Sequence, residues 1–182
     1  LMVTDGGHFE NLALYEMILR RCKLIVLSDG AADESFKFGE IANAMQKCKV
    51  DLGVDIKLIG AMNIYARTAK TDGTTKRSRY ALAQIVYPEK FRNPVTKRDE
   101  NYKGWLLYVR PAYYATNEPR DVRYYAESNL HFPHQSTGDQ MYDEKQFEAY
   151  RSLGFLTMEE VIGDTQPNDL TELFDALREQ MD

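Results

Sequence analysis

Two short apolar runs, Leu1-Met2-Val3-Thr4 and Lys23-Leu24-Ile25-Val26-Leu27-Ser28, flank a helical pattern, and each stops at an aspartate followed by glycine. Runs of this length, rich in aliphatic residues and bounded by turn residues, read as β-strands. Between them Leu12, Tyr15, Ile18, Leu19 and Cys22 recur at three- and four-residue spacing. That spacing predicts a helix from Leu12 to about Arg21, with Asn11 at the N-cap position. Strand, helix and strand in under 30 residues make a βαβ unit. Such a unit implies an α/β fold whose opening strands lie in a parallel sheet. A core strand needs backbone partners on both sides, so a strand at Leu1–Thr4 leads us to expect the C-terminal portion of a longer polypeptide. An edge strand behind a start at Met2 is the alternative.

The same reading continues down the chain. The loop Asp29 to Lys37 leads to a second helix, Phe38 to about Val50, with Ile41, Ala44, Met45 and Cys48 on its apolar face, and Asp55 to Ala66 reads as a strand. Tyr80 to Tyr87 and Trp105 to Val109 read as further strands, separated by a loop from Pro88 to Lys103. Asp72-Gly73 suits the turn of an antiparallel hairpin between the strand ending near Arg67 and the one starting near Tyr80. Helical patterns follow over Pro119 to Ser128, Asp143 to Leu153 and Asn168 to Met181; the last carries Leu170, Leu173, Phe174, Leu177 and Met181 in one stripe. One domain is expected, or the C-terminal part of one: a βαβ core over 1–67, then the hairpin and a helical extension over 68–182.

Charge and composition exclude several partners. The 182 residues hold 23 Lys+Arg against 28 Asp+Glu, a net charge of −5, which argues against a nucleic-acid binder with its basic face. Hydrophobic residues at 43% suffice for a core. No stretch approaches the roughly 20 consecutive apolar residues of a membrane-spanning helix. Cys22 and Cys48 make neither a disulfide framework nor a zinc set, and free thiols suit a reducing compartment, the cytoplasm or the cytoplasmic face of a membrane.

In open α/β sheets ligands gather beyond the carboxyl ends of the strands, and two strands here end in carboxylates, Asp5 and Asp29. Asp5 is the sharper candidate, because Gly6 and Gly7 let the backbone turn tightly beside it. A carboxylate held there can activate a hydroxyl nucleophile or hold a metal; the plain alternative is a turn. Asp29 and Asp33 are candidates to join Asp5 around a divalent ion, against solvated loop carboxylates. His131, His134 and Asp139 match no zinc spacing, so a structural loop capped by Ser136 or Thr137 is expected, and His8 reads as a surface or capping residue. Lys70, Lys76, Arg77 and Arg79 against Asp72 form a basic segment suited to peripheral contact with anionic headgroups, or a solvated loop. The last helix bears Asp169, Glu172, Asp175, Glu179 and Asp182 against Arg178, so it is expected to pack on the body or on a partner rather than on a membrane.

The string Asp5-Gly6-Gly7-x-x-x-Asn11-Leu12, following an apolar strand and opening a helix that leads into Lys23–Asp29, resembles the patatin-like phospholipases and acyl hydrolases. The likeness runs from Val3 to about Asp55, with a more general similarity at Phe132–Thr137 and Phe147–Arg151. Asn11-Leu12 looks like the related cytosolic phospholipases, while Ala13 stands where plant patatins have Pro. The resemblance implies a three-layer α/β fold with a mainly parallel sheet, an added antiparallel hairpin and C-terminal helices. It also implies hydrolysis of lipid acyl esters without a cofactor or metal, with Asp5 as general base of a Ser-Asp dyad and Gly6, Gly7 and Asn11 supporting the motif.

The family's nucleophile sits in Gly-x-Ser-x-Gly upstream of the aspartate, and the 182 residues contain no such motif. A serine hydroxyl needs a base, and the acyl oxyanion needs aimed donors. The resemblance therefore implies that the serine half lies in a missing N-terminal part of the same polypeptide and that this chain alone is inert. Two other readings remain open here: a metal-assisted phosphoryl-transfer or regulatory α/β module using Asp5 and Asp29, and a non-catalytic interaction domain.

Overall fold

A computed structural model describes residues 6–60, 62–69, 76–136 and 138–180. The fold is α/β, as the alternating pattern leads one to expect. Its elements are α1 (Leu14–Leu19), β1 (Leu24–Ser28), α2 (Gly39–Leu52), β2 (Asp55–Ile59), β3 (Tyr80–Arg92), β4 (Asp99–Val109), α3 (Arg120–Ser128), α4 (Glu144–Ile162) and α5 (Leu170–Glu179).

The four described strands form one mixed sheet in the order β1-β4-β3-β2. β1 runs parallel to β4, from Leu24 opposite Trp105 to Ser28 opposite Val109, while β3 pairs antiparallel with both β4 and β2. β1 and β2 point the same way, yet the β3–β4 hairpin lies between them. Burial explains this order. Ala81, Leu82 and Ala83 in β3 and Leu106, Leu107 and Tyr108 in β4 are buried whichever face they point to, which is the property of central strands. In β1, Ile25 and Leu27 are buried while Val26 is exposed.

Helices cover both faces. On one, Ile25, Leu27, Ala81, Ala83, Ile85, Leu106 and Tyr108 meet Leu14 and Ile18 of α1 and Ile41, Ala44 and Cys48 of α2. On the other, Leu82, Leu107 and Val109 meet Val161 of α4 and Leu173, Phe174 and Leu177 of α5. Each fully buried side chain of that α5 stripe contributes about 1.5–3 kcal/mol, so the helix packs on the body, with its acidic residues outward. A third cluster joins Val122, Tyr125 and Ala126 of α3 to Phe132 and to Ala149 and Leu153 of α4.

Several elements differ from their expected bounds. The strand expected over Asp55–Ala66 stops at Ile59, where Gly60 takes φ +69°. The loop expected over Pro88–Lys103 is mostly ladder: after a register shift between Val86 and Lys90, pairing resumes at Lys90, Phe91 and Arg92, leaving a turn closed by Asn93 N–H donating to Arg98 O at 2.9 Å. Pro88, which has no N–H to give, falls within that irregularity, and the Phe91 and Tyr102 rings meet at a tilt, with centres 5.2 Å apart, beyond it. The helix expected to end at Leu153 runs on to Ile162, because Leu153, Thr157 and Val161 continue one buried stripe past Gly154. In α1 the buried pair is Leu14 and Ile18, whereas Leu19 is exposed.

At Gly104 of β4, an added Cβ would stand 2.9 Å from Lys23 O and 3.2 Å from Cys22 O, in the residues that lead into β1. Both are backbone atoms held by bonds of their own, Trp105 N–H donating to Lys23 O and the Tyr87 hydroxyl to Cys22 O. Gly104→Ala is accordingly expected to lower unfolding free energy by about 1–3 kcal/mol in urea titrations. An unchanged midpoint would contradict this packing.

Candidate active-site cleft at the carboxyl end of β1

β1 delivers Asp29 to the carboxyl end of the sheet, where its side chain is fully buried. Oδ2 accepts from the Tyr108 hydroxyl at 2.6 Å and from Arg110 Nη1, and Oδ1 accepts from Ala31 N–H at 3.0 Å. Arg110, 1% exposed, also donates through Nη2 to Ala31 O at 3.1 Å and lies 3.5 Å from Asp33 Oδ2. The pair thus clamps the 29–33 loop to the end of β4. Burial first, and the bond to Asp29 second, push the Tyr108 hydroxyl well above its ordinary pKa, so it acts as a neutral donor. Asp29 and Asp33 are therefore not solvated loop carboxylates. Asp33 accepts from Phe38 N–H at 2.8 Å at the start of α2, where Phe38 itself has left-handed φ and gives no side-chain cap. Its pKa is lowered: partial burial opposes this, and the Lys37 and Phe38 N–H groups with Arg110 outweigh it.

Beside this clamp lies a cleft of about 480 Å³ lined by Asn11, Leu12, Ser28, Gly30, Ala31, Ala32 and Glu40. A smaller hollow of about 170 Å³, sharing Ala31, Ala32 and Glu40, is lined also by Asp33 and Arg110. Asn11 is not the N-cap of α1: its Nδ2 donates to Glu40 Oε2 at 3.1 Å across the cleft wall. The helix start is held instead by Glu10, whose carboxylate accepts from Leu12 N–H and, at 3.1 Å, from Tyr15 N–H. Gly6, Gly7 and His8 form a 3-10 turn in which Gly6 O accepts from Phe9 and Glu10 N–H, and a Cβ on Gly6 would meet nothing within 4 Å. Asp5 lies outside the described residues.

The remaining candidates separate. His131 Nδ1 meets Glu34 at the surface, whereas His134 is buried with neither ring nitrogen hydrogen-bonded. The loop is held as expected at Ser136, whose Oγ accepts from Gly138 N–H at 3.2 Å; Thr137 lies outside the described residues. Arg79 does not belong to a basic surface. It is 1% exposed, and its guanidinium donates to Ala112 O and to Glu118, Glu160 and Asn117, because position 79 leads into the central strand β3. Arg77 lies over the Tyr114 ring and donates to Ala69 O; Lys76 is exposed, and Lys70 and Asp72 lie outside the described residues. Among the described residues no three His, Cys, Asp or Glu side chains are grouped to hold a metal, and the oxygens of Asp29 are already engaged.

Glu10, Glu40 and Arg110 escaped the sequence reading. An arginine directly after the strand Trp105–Val109 is a signal in principle, but its pairing with Asp29 depends on a β1–β4 register across 81 residues. No helix among the described residues is long and apolar enough to cross a membrane. The chain matches no family model, no curated protein and no solved structure.

Two outcomes follow from the clamp and its neighbour. Arg110→Met leaves Asp29 buried and unpaired, and is expected to cost about 3–5 kcal/mol of unfolding free energy. Burial first, and then Arg110, hold the His134 pKa below its ordinary value, while the nearby carboxylates of Asp33 and Asp29 act the other way. A depressed folded pKa means the unfolded chain takes up the proton first, so stability is lost as pH falls below about 6.5. His134→Phe is expected to flatten that part of the profile in urea titrations at a series of pH values; equal slopes for both proteins would contradict it.

Proposed function

We propose that this chain carries the general-base aspartate of a patatin-like serine acyl hydrolase acting on phospholipids or acylglycerols, in the cytoplasm or at the cytoplasmic face of a membrane. The observation that supports this reading best is the cleft at the carboxyl end of β1. Asn11 and Leu12, which close the string Asp5-Gly6-Gly7-x-x-x-Asn11-Leu12, line it together with the Ser28–Ala32 turn. Ligands of α/β sheets collect at that end, where loops converge around the last residues of the strands.

In this mechanism Asp5 takes the proton of a serine hydroxyl as its oxygen attacks the acyl carbonyl. The tetrahedral oxyanion collapses with release of the alcohol, and water then hydrolyses the acyl-enzyme. The serine and the oxyanion donors come from residues other than these 182, which hold no Gly-x-Ser-x-Gly. Asn11, tied to Glu40, holds one wall of the cleft rather than capping a helix. The engaged oxygens of Asp29 favour this reading over the metal-assisted one.

The test is fluorophosphonate labelling of the full natural polypeptide. Labelling of one serine is expected, with Asp5→Ala slowing the reaction by about 10²–10⁴-fold and the 182-residue chain by itself remaining unlabelled. An Asp5→Ala protein that labels at the parent rate would overturn the assignment of the base.

A further inference from the structure

Past the edge strands, β3 and β4 continue as a two-stranded arm. β2 pairs with β3 as far as Val86, and β1 pairs with β4 only from Trp105 onward. Among the described residues, Lys90–Arg92 and Asp99–Asn101 therefore have no strand neighbour but each other. A two-stranded ribbon is marginally stable in water. This one is also accessible: Tyr102 is 53% and Phe91 38% exposed, and Asp99 and Lys103 are exposed as well. The turn that closes the arm precedes β4, which runs parallel to β1, so the arm leaves the sheet at the amino end of β1, opposite the cleft.

Hydrogen bonds along β4 fix which way its backbone groups point. Trp105 N–H donates to Lys23 O at 2.8 Å and Val109 O accepts from Asp29 N–H at 2.9 Å, so the odd-numbered residues turn toward the β1 side. Arg98 O, accepting from Asn93 N–H, turns the other way, toward β3. Alternation therefore directs the N–H and C=O groups of Asp99, Asn101 and Lys103 out along the edge that β1 does not reach. Such an edge is a template for another strand. Read antiparallel to itself, Asp99-Glu100-Asn101-Tyr102-Lys103 sets Asp99 opposite Lys103, Asn101 opposite Asn101 and Lys103 opposite Asp99. Opposite charges directly across a ladder stabilise it; sliding the partner by two residues parts them, and sliding it by four sets like charges against each other. We propose that this edge pairs with the same edge of a second copy about a two-fold axis at Asn101, joining two ribbons into one four-stranded sheet. Asp99 of each copy then meets Lys103 of the other on one face, where Arg92 already lies 3.9 Å from Asp99. On the other face the Tyr102 and Phe91 rings of both copies come together. The pairing leaves the cleft open and stands apart from the acyl-hydrolase reading, so neither depends on the other.

The experiment is sedimentation equilibrium of the full natural polypeptide over a concentration series. The parent is expected to dimerise, and Asp99→Lys or Lys103→Asp to weaken association by about tenfold or more, since each sets like charges at both ends of the pairing. Both sites are exposed, so the circular dichroism of the variants is expected to match the parent. Rescue separates this register from a general loss of structure. An equimolar mixture of the two single variants, and the double variant Asp99→Lys/Lys103→Asp, each restore opposite charges across the axis and are expected to recover the parent's association; recovery in either assigns the pairing. A parent that is monomeric throughout, a dimer that either single variant leaves unchanged, or weakening that neither rescue reverses overturns the proposal. So does a monomer that instead sediments with phosphatidylserine vesicles, which assigns the arm to a lipid surface.

Discussion

At the carboxyl end of the parallel β1–β4 pair, a buried carboxylate and a buried guanidinium are hydrogen-bonded to one another, and the surrounding loops take their positions from that exchange. Asp29 alone would be a charge with no water to solvate it, and Arg110 likewise. Together, with the Tyr108 hydroxyl and the Ala31 backbone, they give both Asp29 oxygens a partner and hold the 29–33 loop against β4. That loop is one wall of the cleft, and Asp33 within it starts α2. The geometry of the cleft is thus set by the buried ion pair beside it. Buried pairs of this kind add little net stability compared with apolar packing, but removing one partner is costly, so their effect is to enforce one arrangement.

At the same end of the sheet, where Arg110 N–H donates to Arg79 O, the device is repeated. Arg79 at the start of β3 meets Glu118, whose carboxylate also accepts from Tyr114 and Thr116 N–H at 2.7 Å each. Burial opposes ionisation of Glu118, yet those N–H groups and Arg79 outweigh it and lower its pKa. The segment after β4 is therefore anchored by charge as well as by Tyr113 and Ala112 in the cores. With β1 and β2 separated by the β3–β4 hairpin, the sheet depends on contacts between residues far apart in sequence. Two buried ion pairs spanning 81 and 39 residues give that long-range register a specific reward.

Local signals in the sequence carried most of the helices and the strand cores. Alternation and three-to-four spacing are properties of neighbouring residues, so Leu24–Ser28, the α2 face at Ile41, Ala44 and Cys48, and the α5 stripe at Leu173, Phe174 and Leu177 were all legible. What could not be read was pairing. Nothing near Arg79 marks it as buried, since its carboxylate partners lie 39 and 81 residues away, and a basic patch was the natural reading of Lys76, Arg77 and Arg79. Asn11 misled for a related reason. Its residue type suits a cap, but Glu10 reaches the same N–H groups with a longer side chain and leaves Asn11 to Glu40. The strand-end position of Asp29 was visible, whereas its engagement by Tyr108 and Arg110 required the β1–β4 register.

The functional account rests on one claim, that acyl transfer takes place in the cleft beside the Ser28–Ala32 turn. The most direct measurement is a crystal structure of the full natural polypeptide after reaction with an alkyl phosphonate ester. The account predicts a phosphonylated serine whose alkyl chain enters the cleft bounded by Asn11, Leu12, Ala31 and Glu40, with the Asp5 carboxylate within hydrogen-bond reach of the serine oxygen. An adduct remote from the carboxyl end of β1 would contradict it.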